Sequence, residues 1–230
     1  MFNTIFPHIG QLTPTLVWHE NGTSSSGYSY TTYLTDFNPD GGANTLNSEG
    51  WVRAKDTGTA AIMKYNTTYN IWYMQTTSST TQRQATYVIP FSTTPKGIAH
   101  EADWKLPSVD AGSGAYSHTG SLIANSDSSK YVQWYMYDDN VFNDLIFVID
   151  GVTKYTINNF TAATYKMKVQ IDHNNMASFY KDDVLVGPAI LWTGVMANVK
   201  IWGYSETGTN ALVSGTTACG WSNEKIYKWL

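Results

Sequence analysis

The first residues whose types and spacing suggest chemistry are two carboxylates, Glu101 and Asp103, separated by one alanine. In a β-strand, side chains two positions apart lie on the same face of the sheet. Two carboxyl groups held about 5 Å apart on one face can serve as the acid and the nucleophile of glycoside hydrolysis. The alternative is that both acids are solvated side chains on an exposed strand face.

A second set of residues has the spacing of a calcium loop. Asp36, Asn38 and Asp40 alternate along the chain, and Gly41 follows them. Oxygen ligands at alternate positions, followed by a glycine for the sharp bend, suit calcium. The twelfth position of the loop is Asn47 instead of the glutamate that completes an EF-hand, and the same residues form Asx turns without any ion. No cofactor is required by the sequence, and one calcium ion is the cofactor hypothesis.

Aromatic residues are abundant, with nine Trp and sixteen Tyr. One segment alternates between an apolar set, Val132, Trp134 and Met136, and a polar aromatic row. The row consists of Tyr131, Gln133, Tyr135 and Tyr137. If the apolar set points inward, the row lies on an exposed sheet face, where it forms a surface for stacking sugars. Because Tyr is also enriched in subunit contacts, the row predicts contact with a glycan or receptor, or with another copy of the chain.

Charge and cysteine content exclude several classes of function. The 14 Lys and Arg residues form no cluster and the net charge is -4, so a nucleic-acid partner is not expected. Cys219 is the sole cysteine, which leaves no internal disulfide and no cysteine-based zinc site. No apolar run reaches the roughly 20 residues of a membrane span, and the N-terminal segment lacks the pattern of a signal peptide. The low charge and the Ser/Thr/Asn-rich loops are typical of extracellular or virion surfaces.

Short strands dominate the chain. Alternation and turn residues predict three successive strands between Tyr165 and Gly187, and Asp150-Gly151 predicts a hairpin between the strands 145–149 and 152–157. Strands are also predicted at 97–106, 121–124 and 226–229, and no stretch has helical periodicity. About a dozen strands without helices predict an all-β, two-sheet antiparallel jelly-roll sandwich. We expect residues 1–230 to form one domain, with an irregular arm at 1–12.

Two segments carry a resemblance to a known family. The meander YKMKVQIDHNNMASFYKDDVLVG and the closing segment GWSNEKIYKW resemble the concanavalin A-like lectin/glucanase superfamily. In the closing segment, Asn223 and Glu224 stand where that superfamily commonly has an aspartate. The resemblance implies a concanavalin A-like jelly roll, with either lectin-like binding or polysaccharide cleavage as its function.

The resemblance also bears on catalysis. Retaining glucanases of the superfamily carry the string E-x-D-x-x-E, and Leu106 stands here at the position of its second glutamate, which disfavours a hydrolase. Alginate-lyase-like members combine a His and a Tyr with an Arg and a Gln or Asn that neutralise the uronate carboxylate. Their characteristic strings are absent, but His100 or His118 with Arg53 or Arg83 and a tyrosine would supply the same groups.

The sequence therefore favours a non-enzymatic surface protein. We expect a structural module of a virion or cell surface that binds a glycan or receptor and assembles with other subunits. The alternative is a polysaccharide-active enzyme on the same fold. Among such enzymes, a lyase is favoured over a glycoside hydrolase. For this alternative the catalytic candidates are Glu101, Asp103, His100 and His118.

Overall fold

A computed structural model describes residues 15–19, 52–57, 61–66, 71–76, 83–91, 94–106, 117–138, 143–205 and 220–229. In these residues the regular structure consists of strands, all paired antiparallel, in two sheets. The predicted two-sheet antiparallel sandwich is thereby confirmed. Within the same residues, no helix is long and apolar enough to cross a membrane.

One sheet has nine strands in the described part of the chain. Two short strands extend it at the sides: β1 (Thr15–His19) pairs with β16, and β14 (Ile190–Leu191) pairs with β12. The main spatial order is β13 (Val184–Leu185), β12 (Met176–Lys181), β11 (Ala163–Ile171), β6 (Gly97–Leu106), β16 (Gly220–Trp229), β4 (Ile71–Thr76) and β3 (Ala61–Asn66).

The other sheet has seven strands in the described residues. Its spatial order is β10 (Val152–Ile157), β9 (Asn143–Ile149), β8 (Tyr131–Asp138), β7 (Ser117–Ala124), β15 (Asn198–Ser205), β5 (Arg83–Pro90) and β2 (Val52–Thr57).

The core forms where the inward rows of the two sheets meet. Trp104 of the nine-stranded sheet contacts Trp134 of the seven-stranded sheet edge to face, with ring centroids 4.8 Å apart. Trp221 packs on Trp104 at 5.1 Å, and all three indoles are almost completely buried. Alternation along each strand explains this arrangement, because every second side chain of a half-buried strand faces the core.

Tight turns connect neighbouring strands at the predicted places. Asp150 and Gly151 both have positive φ, 49° and 79°, as a two-residue hairpin turn requires. Asp182 and Asp183 have φ of 52° and 63° between β12 and β13, where aspartate tolerates the left-handed conformation. The meander predicted from Tyr165 onward is present as β11, β12 and β13.

Two predicted strands were too short. The strand predicted at 121–124 begins at Ser117, which adds His118 and Gly120 to the sheet. The strand predicted at 226–229 begins at Gly220. In both cases pairing with distant strands, β15 for β7 and β6 for β16, extends segments whose local sequence lacks a clean apolar alternation.

Candidate functional site

The polar aromatic row lies on the outer face of the seven-stranded sheet. Val132, Trp134 and Met136 have no exposed surface, so the alternate positions of β8 point away from the core. The outward positions, all partly exposed, are Tyr131, Gln133, Tyr135 and Tyr137.

Neighbouring strands add two more rings to this face. His118 of β7 pairs with Tyr137, and Gly120 pairs with Tyr135 on one side and with Trp202 of β15 on the other. The ring of His118 lies 4.8 Å from that of Tyr137 and 5.8 Å from that of Tyr135. We call His118, Tyr135, Tyr137 and Trp202 the aromatic platform.

Gly120 lies between the rings of the platform. A Cβ atom at this position would be 2.2 Å from the carbonyl oxygen of Trp134 and 2.8 Å from the Cβ of Tyr135, which is closer than real contacts allow. The absence of a side chain lets Tyr135 and Trp202, which flank Gly120, approach to a centroid distance of 5.9 Å. The platform is therefore continuous across three strands.

The platform combines apolar ring faces with polar edges. Burial, and to a lesser extent the nearby Tyr131, raises the pKa of Tyr135, so its hydroxyl keeps its proton and can both donate and accept hydrogen bonds. The Nε1 of Trp202 is buried and has no acceptor within hydrogen-bond distance in the described part of the chain. Gln133 adds an amide two positions from Tyr135 on the same face.

The two carboxylates singled out by spacing lie on the opposite side of the molecule. Glu101 and Asp103 point outward from the nine-stranded sheet, on one face as alternation requires. Lys225 Nζ lies 3.6 Å from Glu101, and the Asn223 amide donates to Asp103 at 2.5 Å. Because the whole sandwich separates these acids from His118, the structure does not bring the four catalytic candidates into one site.

His100 lies in the core, away from His118, so no site contains both histidines. Its Nδ1 contacts the hydroxyl of Ser121 in the facing sheet, and its Nε2 lies 2.6 Å from the carboxylate of Glu224. The second oxygen of Glu224 accepts a hydrogen bond of 3.0 Å from the indole of Trp221. This chain of four side chains joins the two sheets through the middle of the core.

Ser121, His100 and Glu224 have the residue types of a nucleophilic triad. Such chemistry requires that a substrate reach the serine oxygen. The exposed fractions are 0% for Ser121, 0% for His100 and 2% for Glu224. The arrangement is consequently a buried polar connection between the sheets, and acyl transfer at Ser121 is sterically excluded.

Sequence reasoning missed Glu224 because a β-bulge turns it inward. Ser222 pairs with Asp103 and Lys225 with Glu101, so β16 has one residue more than β6 over this interval. Asn223 lies in this bulge and has a positive φ of 52°. Alternation from Trp221 would place Glu224 outside, and no local signal marks the bulge.

The predicted calcium ligands Asp36, Asn38 and Asp40 lie outside the described residues. Among the residues that the structure describes, no three His, Cys, Asp or Glu side chains are grouped as a metal site. On β9, an oxygen of Asp144 accepts the backbone N–H of Asn159 at 3.0 Å and so stabilises the turn after β10.

No protein-family model matches the chain, and no curated protein matches it in sequence. Solved structures match by fold. The potassium-bound carbohydrate recognition domain of Emp46p has a TM-score of 0.51 at 7% identity, over 86% of this chain and 96% of that one. An endo-β-galactosidase from Clostridium perfringens that releases GlcNAcα1-4Gal has a TM-score of 0.56 at 10% identity, over 96% of this chain and 64% of that one.

The carbohydrate recognition domain of Emp47p also matches, with a TM-score of 0.50 at 9% identity over 91% of this chain and all of that one. These matches confirm the concanavalin A-like fold. At such low identity they show the fold alone, because one fold supports many functions.

Proposed function

We propose that this protein binds carbohydrate through the aromatic platform of the seven-stranded sheet. The observation that carries the proposal is the group of four rings, His118, Tyr135, Tyr137 and Trp202, side by side on an outer sheet face. The similarity in fold to carbohydrate recognition domains supports it.

The chemistry of the platform suits a sugar ring. A pyranose has an apolar face of C–H groups that packs on aromatic rings, and hydroxyl groups at its edge that need hydrogen bonds. Tyr135 and Tyr137 supply both an apolar ring and a polar edge, Trp202 supplies an apolar ring, and Gln133 supplies a donor and an acceptor beside them. Trp202 is half-buried, so its ring is held in place before a ligand arrives, which reduces the entropy lost on binding.

The test is a glycan array with the full chain, followed by calorimetry on the best ligand with Trp202→Ala and Tyr135→Ala. Each variant is expected to bind about tenfold more weakly or worse, as the loss of one stacking ring predicts. The matched control is Tyr180→Ala, which removes a partly exposed tyrosine from the opposite sheet face and should change affinity less than about twofold. Failure of the array to detect any saccharide, or equal weakening by all three substitutions, would overturn the proposal.

A lyase is the second candidate, favoured by the position of His118 beside two phenols on one face. A lyase also needs a group that neutralises the substrate carboxylate, and the side chains of Arg53 and Arg83 lie outside the described part of the structure. Incubation with polyuronates, followed through the ultraviolet absorbance of unsaturated products, tests this candidate. Turnover that His118→Ala abolishes without changing the thermal midpoint would replace the binding proposal by an enzymatic one.

The calcium loop at Asp36, Asn38 and Asp40 remains a proposal from the sequence. A bound ion would stabilise the folded state by mass action, so the thermal midpoint should rise with added calcium and fall with a chelator. Asp36→Asn with Asp40→Asn should abolish the response. An unchanged midpoint in calcium and in chelator would contradict the site.

The biological setting also remains a proposal. Low charge and polar uncharged loops support a place on a virion or cell surface, where the platform would contact a host or neighbouring glycan. Self-assembly and receptor contact belong to the same proposal, and the mass of the protein in solution, measured by light scattering, tests assembly directly.

A further inference from the structure

Lys200 lies on the platform side of the molecule, and no carboxylate of the described residues lies beside it. Lys200 precedes Trp202 by two positions on β15, and it pairs with Leu122 of β7 and Val88 of β5. Its ammonium group donates a hydrogen bond to the hydroxyl of Ser128, in the turn between β7 and β8. Among the described residues, no acidic side chain lies within ion-pair distance of Lys200.

Several other lysines of the described residues are paired with a carboxylate. Lys130 pairs with Asp150 at 3.1 Å, Lys166 with Asp183 at 2.8 Å and Lys181 with Asp182 at 2.7 Å. Lys200 is half-buried, and this burial lowers its pKa because the charged form loses hydration. An anion that arrived beside Lys200 would supply the missing countercharge.

The position of Lys200 relative to the platform suits a neighbouring subsite. Backbone positions two residues apart on a strand are separated by roughly 6.6 Å along the sheet, and the side chain of Lys200 extends further from Trp202, to Ser128 in the turn after β7. Trp202 and Lys200 are such a pair. A saccharide that lies along β15 with one sugar on Trp202 would therefore bring the substituents of the next sugar to Lys200 and Ser128.

We propose that the platform takes an acidic glycan, in which one sugar stacks on Trp202 and the carboxylate or sulfate of the next sugar is bound by Lys200 and Ser128. This inference rests on the proposed carbohydrate binding and names its ligand class. Lys200 provides the charge. The Ser128 hydroxyl accepts a hydrogen bond from the ammonium group and donates its own proton to the anion.

The experiment compares matched charged and uncharged ligands by calorimetry. One pair is an oligogalacturonate and its methyl ester, and the other is a sulfated galactan oligosaccharide and its desulfated form. The charged member of at least one pair should bind about tenfold more tightly, which is the lower end of what a hydrogen bond to a charged group contributes. Raising the salt concentration should weaken the charged ligand alone.

Three variants test whether the preference for the charged ligand depends on Lys200. Lys200→Met should remove the preference for the charged ligand and leave the affinity for the uncharged one within about twofold, and Lys200→Arg should retain much of the preference. The control is Lys168→Met, on the outer face of the nine-stranded sheet, where the ammonium group lies 4.2 Å from the ring of Tyr180. This control should behave as the wild type.

The outcomes separate the two proposals. Preference for one pair only identifies carboxylate or sulfate as the anion and supports the inference. Equal binding of charged and uncharged ligands, with no effect of Lys200→Met, overturns the acidic ligand while carbohydrate binding stands. No binding of any of the four saccharides, together with an empty glycan array, overturns the binding function itself.

Discussion

At the scale of single residues, Asp150 connects the start of β8, the turn before it and the segment that follows β14. One carboxylate oxygen accepts the backbone N–H of Tyr131 at 2.7 Å and the indole N–H of Trp192 at 3.1 Å. The other oxygen contacts the ammonium group of Lys130 at 3.1 Å. Burial alone raises the pKa of Asp150, but these hydrogen bonds and the charge of Lys130 outweigh it, and the net pKa is lowered.

The lowered pKa makes a pH-dependent prediction for Asp150→Asn. A carboxyl group whose folded pKa is below its unfolded value of 3.8 contributes stability above that value, and the contribution is lost as the pH falls through the folded pKa. We expect the variant to be about 1–2 kcal/mol less stable at neutral pH and close to the wild type in strong acid. Urea unfolding across this range measures the difference, and a difference independent of pH would contradict the prediction.

At the scale of elements, the pairing of β7 with β8 depends on Gly120. The space for a Cβ is occupied by the carbonyl oxygen of Trp134 and by Tyr135, and the backbone cannot move without breaking the ladder. Gly120→Ala should therefore lower stability by about 2 kcal/mol and weaken glycan binding by displacing Tyr135. Chemical unfolding and calorimetry test this, with Thr153→Ala, at an exposed position of β10, as the neutral control. Wild-type stability and affinity in Gly120→Ala would show that the strands adjust freely.

The bulge in β16 makes a separate prediction. Trp221 and Ile226 are five residues apart and both buried, which regular alternation forbids and the extra residue Asn223 permits. Because Asn223 has a φ of 52°, Asn223→Val should be about 1–2 kcal/mol less stable than Asn223→Gly. Both variants lose the bond to Asp103, so their difference in unfolding free energy isolates the backbone effect. Equal stabilities would contradict the bulge geometry.

At the scale of the whole molecule, the chain of Ser121, His100, Glu224 and Trp221 fixes how the two sheets face each other. Apolar packing alone tolerates small sliding of one sheet over the other, whereas buried hydrogen bonds require particular positions. The connection lies in the same core as the Trp104–Trp134 contact. It therefore acts together with that contact to set the alignment of the sandwich.

Glu224→Ala should be strongly destabilising, because it leaves the buried nitrogens of His100 and Trp221 without their acceptor. We expect a loss of about 3 kcal/mol or more in unfolding free energy, against about 1 kcal/mol for Ser121→Ala. The double variant Glu224→Leu with His100→Leu should lose less than Glu224→Leu and His100→Leu added together, because the bond between these two side chains is lost in both single variants and is counted once in the double variant. Additive losses in urea unfolding would show that the two side chains act independently.

The sequence by itself determined the strands and the faces of the strands. Alternation placed Val132, Trp134 and Met136 in the core and the tyrosine row outside, and the turn residues placed the hairpin at Asp150-Gly151. Strand faces and tight turns depend on residues that are close together in the sequence, so the local pattern of apolar and turn residues is enough to predict them. The same information predicted an all-β sandwich and a resemblance in fold that the solved structures confirm.

Only the tertiary structure decided which strands became neighbours. The platform requires His118 and Gly120 to lie next to Tyr135 and Trp202, although these residues are far apart in the sequence. The buried hydrogen bonds between the sheets require a bulge that turns Glu224 toward His100. Both depend on register between distant strands, and a shift by one residue would send each side chain to the opposite face. The sequence showed which residue types could bind or react. Pairing between distant strands decided which side chains became their neighbours.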